Sequence, residues 1–410
     1  MRDTAIAYDE MLSVMGRQMQ PNDIRKLTAL LGHRDIISLA AGAPSSETFP
    51  LEELAEIAAR VIRTHGQFAL QYGPTRGPQP LIEGIAEMLR GRGIATATPS
   101  EVVVTSGSQQ GLDLVSRLLI DPGDVAMIEL PSYIGGIIAL HNAQAEMVGV
   151  QQDDGGLIID DLRQKLAGLL KAGRRVKCIY TIPNFQNPSG VTLAVERREQ
   201  LIQIADEFDL LIIEDDPYFD LAFTEAARPQ PLAALRPERV IYLGSFSKVL
   251  APGLRAAYVC APAEIAAKVE MAKEGADLSS SVLDQAIVLE ALRSGLIEKR
   301  LPELRQFYEV RCRAMLNALA EFAHAGARWT RPTGGFFILL ELAGKIDATE
   351  ILMQALDSGV AYVPGQPFFI DGSGANTLRL AYSKETPEKI GEGVARLGRV
   401  LQGAQRAEAV

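Results

Sequence analysis

The sequence predicts an α/β protein with a mostly parallel sheet, followed by a smaller α+β unit. Short apolar runs rich in valine and isoleucine alternate with longer stretches of helical periodicity. Such runs are typical of strands buried on both faces, and a helix between consecutive strands favours parallel pairing. The predicted strands are Val102–Thr105, Val125–Leu130, Val176–Ile182, Leu210–Glu214, Val240–Gly244 and Ala256–Ala261.

Two of the intervening helices, Gly111–Leu119 and Ala194–Phe208, show clear helical spacing of apolar residues. The last two predicted strands are separated by only 11 residues, which include glycine and proline. Because a parallel crossover needs a dozen or more residues, we expect one antiparallel strand at this point.

The pattern changes after Leu283. A long helical stretch, Leu283–Phe322, precedes short strands at Phe336–Glu341 and Thr377–Ala381, with a helix at Ala348–Ser358 between them. This order predicts a second, α+β domain. We therefore expect an N-terminal segment (1–35) that packs with the small domain, a large domain (36–300) and a small domain (301–410).

Length and composition limit the class of protein. The 410 residues suffice for two or three domains, and 47% apolar with 22% charged residues is ordinary for a globular chain. A net charge of −10 argues against nucleic acid or an anionic membrane as the main partner. We expect neither a secretory signal nor a membrane span, because the apolar runs are short. Three separated cysteines and four scattered histidines predict no disulfide or metal site, and free thiols fit the cytoplasm.

Residues that could bind a ligand or take part in a reaction follow the predicted strands. In open α/β sheets, ligands bind beyond the carboxyl ends of the strands. After the first strand, Ser106–Gly111 opens a helix with small residues, which can cradle a phosphate or simply form a tight turn. Tyr133 follows the second strand, where it could stack on a flat ring or only pack. The loop after the third strand offers Asn187 to a ligand, although it could equally be an ordinary turn.

The fourth and fifth strands end in the most reactive groups. Asp215 and Tyr218 follow the fourth strand, where they could contact a ligand or could belong to an ordinary solvated turn. Lys248 follows the other, between hydroxyls and close to Arg255. A lysine there can perform amine chemistry beside an anion. Together the strand ends supply what a pyridine phosphate aldehyde requires: an anion cradle, a stacking ring, an amide, a carboxylate with a phenol, and an amine.

At these motifs the chain resembles the fold-type I, class I/II aminotransferases, over roughly Ile24 to Ser383. Within that family it is most similar to the 2-aminoadipate and kynurenine aminotransferase group. The matching segments are Ile24-Arg25-Lys26-Leu27, Gln71-Tyr72-Gly73, Gly107-Ser108-Gln109-Gln110-Gly111, Asn187-Pro188-Ser189-Gly190, Asp215-Asp216-Pro217-Tyr218, Ser245-Phe246-Ser247-Lys248, Pro252-Gly253-Leu254-Arg255 and Leu378-Arg379-Leu380.

The resemblance implies the pyridoxal-phosphate-dependent transferase fold type I, with a seven-stranded, mostly parallel sheet, and pyridoxal 5′-phosphate (PLP) as cofactor. It implies Lys248 as the Schiff-base lysine and Asp215 as the partner of the pyridine nitrogen, with Tyr133 stacked on the ring as a third catalytic residue. The remaining implied cofactor contacts are Asn187 and Tyr218 on the ring oxygen, and Ser108, Gln109, Ser245, Ser247 and Arg255 on the phosphate.

The resemblance also implies how substrate and a second subunit contribute. Arg379 would hold the substrate α-carboxylate, with Gly42 and Asn187 beside it. Arg25 would lie at the mouth of the site and meet a distal carboxylate, unless it is a solvated helix arginine. Tyr72 would reach the phosphate of the other subunit, which makes the protein a homodimer with composite active sites.

The expected function is transfer of an amino group from an L-amino acid (2-aminoadipate, aromatic or similar) to a 2-oxo acid such as 2-oxoglutarate, by a ping-pong mechanism. One alternative is a PLP-dependent lyase or decarboxylase on the same fold, since the cofactor performs the bond-making. Another is a non-catalytic regulator that joins this fold to an N-terminal winged helix. A regulator would need a further domain before Ile24, where this sequence has 23 residues.

Overall fold

A large sheet forms the centre of the computed structural model, which describes residues 8–19, 36–322, 326–344 and 346–408. Its eight strands lie in the order β2-β9-β8-β7-β6-β3-β4-β5. They are β2 (Val102–Ser106), β3 (Val125–Leu130), β4 (Glu146–Asp153), β5 (Gly156–Leu157), β6 (Val176–Thr181), β7 (Leu211–Asp215), β8 (Val240–Ser245) and β9 (Ala256–Cys260).

The sheet is mostly parallel, as predicted. The pairs β3–β4, β3–β6, β6–β7 and β7–β8 are parallel. Strand β9 is antiparallel to both β2 and β8, which confirms the antiparallel strand expected from the short connection before it. The two-residue strand β5 pairs antiparallel with β4 at the sheet edge, so the expected seven strands gain a short eighth.

The described helices cover both faces of this sheet and build the smaller unit. They are α1 (Tyr8–Met11), α2 (Val14–Gln18), α3 (Leu51–Ala69), α4 (Gln79–Gly91), α5 (Ser108–Leu119), α6 (Ile134–Asn142), α7 (Ile159–Lys171), α8 (Val195–Glu207), α9 (Leu232–Leu235), α10 (Ala263–Asp277), α11 (Val282–Arg293), α12 (Leu296–Phe322), α13 (Leu352–Asp357) and α14 (Pro387–Glu408). Among them, none is long and apolar enough to cross a membrane.

The alternation of strand side chains divides the core into two layers. Val103 packs in one apolar cluster with helices α5, α6 and α10, whereas its neighbours Val102 and Val104 belong to the larger cluster on the other face. Side chains along a strand point alternately to the two faces. The central strands are therefore mainly apolar on both faces, and most of their polar residues lie toward the carboxyl ends.

The smaller unit is a four-stranded sheet in the order β10-β11-β14-β13, and a separate parallel pair, β1–β12, lies beside it. The pair joins Ile37 to Val360, so a segment that precedes the large sheet in sequence contacts the C-terminal part of the chain. The strands are β1 (Ile37–Ser38), β10 (Arg328–Trp329), β11 (Phe337–Glu341), β12 (Val360–Ala361), β13 (Val363–Pro364) and β14 (Thr377–Ala381).

Two further differences from the sequence prediction have a clear physical reason. The expected helix Leu283–Phe322 is two helices, α11 and α12, because the chain breaks at Gly295, whose φ of +66° lies in the left-handed region. Strand β4 was not predicted. Its sequence is mixed and only Val150 is fully buried, so it lacks the continuous apolar run of its neighbours.

Candidate active site

A cavity of about 330 Å³ lies at the carboxyl ends of five strands of the large sheet, where the smaller unit covers them. This is the position expected for a ligand site in an open α/β sheet. The predicted residues that line it are Gly42, Ser108, Gln109, Tyr133, Asn187, Asp215, Tyr218, Ser245, Ser247, Lys248, Arg255 and Arg379.

One end of the cavity is shaped to receive an anion. Helix α5 begins at Ser108, directly after Gly107, whose φ is +83°. A Cβ at Gly107 would lie 2.0 Å from Nη2 of Arg255, so only glycine allows the guanidinium to approach. Arg255 itself has left-handed backbone, with φ of 47°. A guanidinium beside a helix N-terminus favours binding of a phosphate.

Asp215 ends β7 and is only 2% exposed. Its Oδ2 accepts a hydrogen bond from the Tyr180 hydroxyl at 2.9 Å, while Oδ1 has no partner among the described residues. Burial raises the pKa of Asp215 to about 7, against the opposing effect of the Tyr180 hydrogen bond. A buried carboxylate with one unpartnered oxygen is suited to a cationic N–H, whose charge would favour the ionised form.

The adjacent carboxylate serves a different purpose. Asp216 is not among the residues that line the cavity. Its Oδ2 accepts hydrogen bonds from Nδ2 of Asn184 at 2.9 Å and from the Tyr242 hydroxyl at 3.2 Å. Successive residues at the strand end thus point one carboxylate toward the cavity and the other into the protein.

Lys248 reaches the same cavity from the segment after β8. Its Nζ lies 5.9 Å from the ring centre of Tyr218 and 5.7 Å from that of Phe336. Burial lowers the pKa of Lys248 from 10.5 to about 8; Arg255 and Arg379 add to this shift and Asp215 opposes it. A larger fraction of this amine is therefore neutral, and nucleophilic, near neutral pH.

Tyr133 precedes helix α6, and the two glycines after it leave room for aromatic rings. A Cβ at Gly135 would lie 2.4 Å from the Tyr133 ring and 2.3 Å from Oε1 of Gln109. Gln109 donates a hydrogen bond to the carbonyl of Gly135 at 2.8 Å. The lack of a side chain at Gly135 therefore lets the Tyr133 ring and the first turn of α5 both pack closely against the backbone of α6.

Arg379 forms the opposite wall. It lies in β14, paired with Leu339 of β11, and is 3% exposed. Nη1 donates to Oδ1 of Asn187 at 3.0 Å and Nη2 to the carbonyl of Ala40 at 2.8 Å, whereas Nε has no partner among the described residues. The guanidinium lies 4.5 Å from the Phe337 ring centre. Burial lowers the pKa of Arg379 to about 10, which still leaves it charged at neutral pH.

Gly42 is beside this arginine for a steric reason. A Cβ at Gly42 would lie 2.7 Å from Cζ of Phe337 and 3.7 Å from Nη2 of Arg379. Any side chain would thus displace the aromatic ring that supports the guanidinium.

Tyr72, which was predicted for the site, is 78% exposed and is not among the residues that line the cavity of this chain. Arg25 lies outside the described residues. The lining also contains residues that the sequence analysis missed: Ala43, Pro44, Ile182, Pro217, Pro252 and Phe337. Pro217 and Pro252 lie within two of the motifs quoted above, and Ile182 ends a predicted strand, so their positions were a usable signal. Phe337 reads as an ordinary strand residue.

Comparison with known proteins agrees with this geometry. The family described as "Aminotransferase class I and II" matches residues 34–397. Aromatic-amino-acid aminotransferase 1 of Thermococcus litoralis is 41% identical over 396 residues, covering 96% of this chain and 95% of that protein. The 2-aminoadipate transaminase of Thermus thermophilus is 41% identical over 401 residues, covering 97% and 98%.

A solved structure gives the same result. The Pyrococcus horikoshii kynurenine aminotransferase, crystallised with PMP, is 38% identical with a TM-score of 0.93, over 97% of this chain and 98% of that one. These names do not favour the lyase or decarboxylase alternative. Two uncharacterized HTH-type transcriptional regulators of Bacillus subtilis also match, at 32% and 29% identity, and this chain covers 70% and 81% of their lengths. The chain belongs to the class I and II aminotransferases, and is a fold-type I, PLP-dependent transaminase of the 2-aminoadipate and kynurenine aminotransferase group.

Proposed function

We propose that the cavity binds PLP with its phosphate between Ser108 and Arg255, its ring nitrogen at Asp215, and its aldehyde at Lys248. The supporting observations are the steric gap at Gly107, the unpartnered Oδ1 of Asp215 and the lowered pKa of Lys248. Gln109, Ser245 and Ser247 would complete the phosphate site, Tyr133 would stack on the ring, and Asn187 and Tyr218 would contact the ring oxygen.

The protein groups then have separate tasks. When bound, PLP supplies an aldehyde that accepts amino groups and a ring that stabilises negative charge at the substrate α-carbon. Asp215 holds a proton on the ring nitrogen. The Lys248 amine would take the proton from the substrate α-carbon and, as an ammonium, would donate it to the carbon that was the cofactor's aldehyde carbon. Arg379 fixes the α-carboxylate through its free Nε and neighbouring donors, which orients the α-carbon toward Lys248.

The observation that carries the proposal is that one cavity unites the amine, the carboxylate and two arginines at opposite ends. Two separate arginines are suited to this site because the cofactor and the substrate together carry two anionic groups. These are the phosphate of PLP and the α-carboxylate of the amino acid. Arg255 and Arg379 line the cavity from the large sheet and from the small unit, respectively.

We propose that the donors are aromatic L-amino acids and 2-aminoadipate, and that 2-oxoglutarate is the acceptor. Apart from Lys248, Arg255 and Arg379, the described lining has no basic side chain, and it includes Ile182 and Phe337. This wall suits an apolar or aromatic substrate side chain. A distal carboxylate would need a cation from elsewhere, and Arg25 is our candidate.

A donor screen tests this proposal. Purified holoenzyme is incubated with single L-amino acids and 2-oxoglutarate, and glutamate formation is measured. We expect the highest kcat/KM for aromatic donors and 2-aminoadipate. Loss of the α-carboxylate as CO₂, or release of ammonia without glutamate, would identify a decarboxylase or lyase instead.

We propose further that the enzyme is a homodimer in which Tyr72 contacts the phosphate in the partner's site. Close to Tyr72 in sequence, Phe68 and Leu70 are 50% and 67% exposed. Large apolar side chains grouped on a surface favour burial against another chain. In a mixture of Tyr72→Phe and Lys248→Ala subunits, heterodimers would hold one intact composite site, so activity should exceed that of either variant alone. An active monomer in sedimentation would exclude a shared site.

We also propose the domain limits given above, 1–35, 36–300 and 301–410, and a cytoplasmic location. The pairing of β1 with β12 places Ile37, which closely follows the proposed N-terminal segment, against the small domain, and this supports packing of that segment with the small domain. The cysteines Cys178, Cys260 and Cys312 are buried thiols, which suits a reducing compartment.

A further inference from the structure

Tyr180 contacts the site from behind. It lies in β6, where it pairs with Ile213 of β7, and is fully buried. It is not among the residues that line the cavity. Within the described residues, its side chain makes one hydrogen bond, from the hydroxyl to Oδ2 of Asp215 at 2.9 Å.

The surrounding backbone reserves space for the Tyr180 ring. A Cβ at Gly136 in α6 would lie 2.4 Å from the ring and 2.8 Å from the hydroxyl oxygen. Burial, followed by the charge of Asp215, raises the pKa of Tyr180 well above its usual value. The hydroxyl therefore keeps its proton and acts as a donor to Asp215.

We propose that Tyr180 is a positioning residue that fixes the Asp215 carboxylate through Oδ2, so that Oδ1 alone faces the pyridine nitrogen of the cofactor. This inference rests on the proposed role of Asp215. A carboxylate on a terminal torsion with broad, two-fold preference would otherwise rotate freely within its pocket. A donor on Oδ2 also favours the ionised form, in which the aspartate can hold a proton on the ring nitrogen.

Several charged or titratable groups act on Asp215. Burial has the largest effect on its pKa and raises it, Tyr180 and Lys248 lower it, and Asp216 raises it. Glu129, Tyr133 and Tyr218 also interact electrostatically with Asp215, from β3, the start of α6 and the segment after β7. Among these groups, only Tyr180 donates a hydrogen bond to the carboxylate within the described part of the chain.

The test is a pH titration of the visible absorption of the bound cofactor in Tyr180→Phe holoenzyme. With less charge held at the ring nitrogen, the nitrogen that joins Lys248 to the cofactor keeps its proton to higher pH. We expect the titration midpoint to rise by roughly one to two pH units, and kcat to fall roughly 10- to 100-fold, the scale of one hydrogen bond to a charged group. The KM of the amino donor should change little.

The matched control is Tyr242→Phe. Tyr242 is an equally buried tyrosine on β8, which flanks β7 on the side opposite β6, but it packs on the other face of the sheet and its hydroxyl bonds to Asp216 at 3.2 Å. The Tyr242→Phe substitution removes the same hydroxyl group from a buried tyrosine and should leave the midpoint unchanged. A midpoint that is unmoved in Tyr180→Phe, or moved equally by Tyr242→Phe, would overturn the inference.

A double variant tests whether Tyr180 acts through Asp215. In an Asp215→Asn background, adding Tyr180→Phe should shift the midpoint no further, and an additive shift would contradict the proposal. If Tyr180→Phe does not fold, Gly136→Ala provides a second route, because its Cβ displaces the ring. It should raise the midpoint in the same direction, and no rise would count against the proposal. If wild-type protein showed no visible band with PLP, the proposed function would fail, independently of Tyr180.

Discussion

The two walls of the active-site cavity are built differently. The wall proposed to hold the cofactor comes from the ends of neighbouring strands in one sheet, and each polar residue there follows a short apolar run. The other wall joins Gly42, Phe337 and Arg379, which are far apart in sequence and meet only after the small unit folds over the sheet. The first wall would hold the cofactor, which takes part in the reaction of every substrate. The second wall would contact the substrate itself, through Arg379 at the α-carboxylate and Phe337 beside it.

This difference predicts how substitutions behave. A change in the wall formed by the strand ends should lower kcat for all donors, because it alters the charge at the reacting centre. A change at the opposite wall should act through kcat/KM, and its size should depend on which part of the substrate the residue contacts.

The largest contrast should occur between two adjacent aspartates. Asp215→Asn should lower kcat by at least roughly 10²-fold for every donor, the scale for losing a preorganised electrostatic partner. Asp216→Asn should have a much smaller effect, because Asp216 bonds to Asn184 and Tyr242 rather than facing the cavity. Steady-state kinetics of both variants provides the comparison, and equal losses would show that the wrong carboxylate has been assigned.

Replacement of Arg379 should affect all donors by a smaller factor. A charge-assisted hydrogen-bond pair contributes about 1.5–3 kcal/mol, so Arg379→Ala should lower kcat/KM roughly 10- to 150-fold for acidic and aromatic donors alike. The same variant should bind PLP normally, as judged by its absorption spectrum. A loss confined to one class of donor would place the α-carboxylate elsewhere.

Arg25 should matter for fewer substrates. Arg25→Ala should lower kcat/KM roughly 10- to 150-fold for 2-aminoadipate and glutamate, which carry a second carboxylate. Leucine and phenylalanine should change little, since their side chains offer the guanidinium nothing to bind. Measurement of both donor classes in both proteins decides the matter, because a uniform loss would make Arg25 structural.

The smallest expected effect is a displaced titration. Since burial lowers the pKa of Lys248 to about 8, its neutral amine should become abundant as pH rises through 8 rather than through 10.5. Acylation of the apoprotein at a series of pH values, followed by mass spectrometry, should show half-maximal Lys248 labelling near pH 8. Exposed Lys171 provides an internal standard for reagent activity. A midpoint near 10.5 would contradict the proposed environment.

The site residues at the carboxyl ends of the strands could be predicted because the sequence patterns that indicate them are local. Asp215 ends an apolar run and Lys248 closely follows another, and the carboxyl ends of parallel strands lie side by side whatever the details of packing. Strand β4 was not predicted because it lies next to the outermost strand of the sheet and its sequence is mixed in polarity. The place of Phe337 beside Gly42 could not be inferred, since it depends on how the small unit packs over the sheet. The same holds for the Tyr180 hydrogen bond, which depends on the register between β6 and β7.

The central claim is that Lys248 forms the covalent link to the cofactor at the carboxyl ends of the strands of the large sheet. Reduction of the holoenzyme with borohydride makes that link permanent, and peptide mapping locates it. We expect a single phosphopyridoxyl label on the peptide that contains Lys248, and no label in Lys248→Ala protein treated in the same way. A label on another lysine, or a holoenzyme that retains none, would contradict the account.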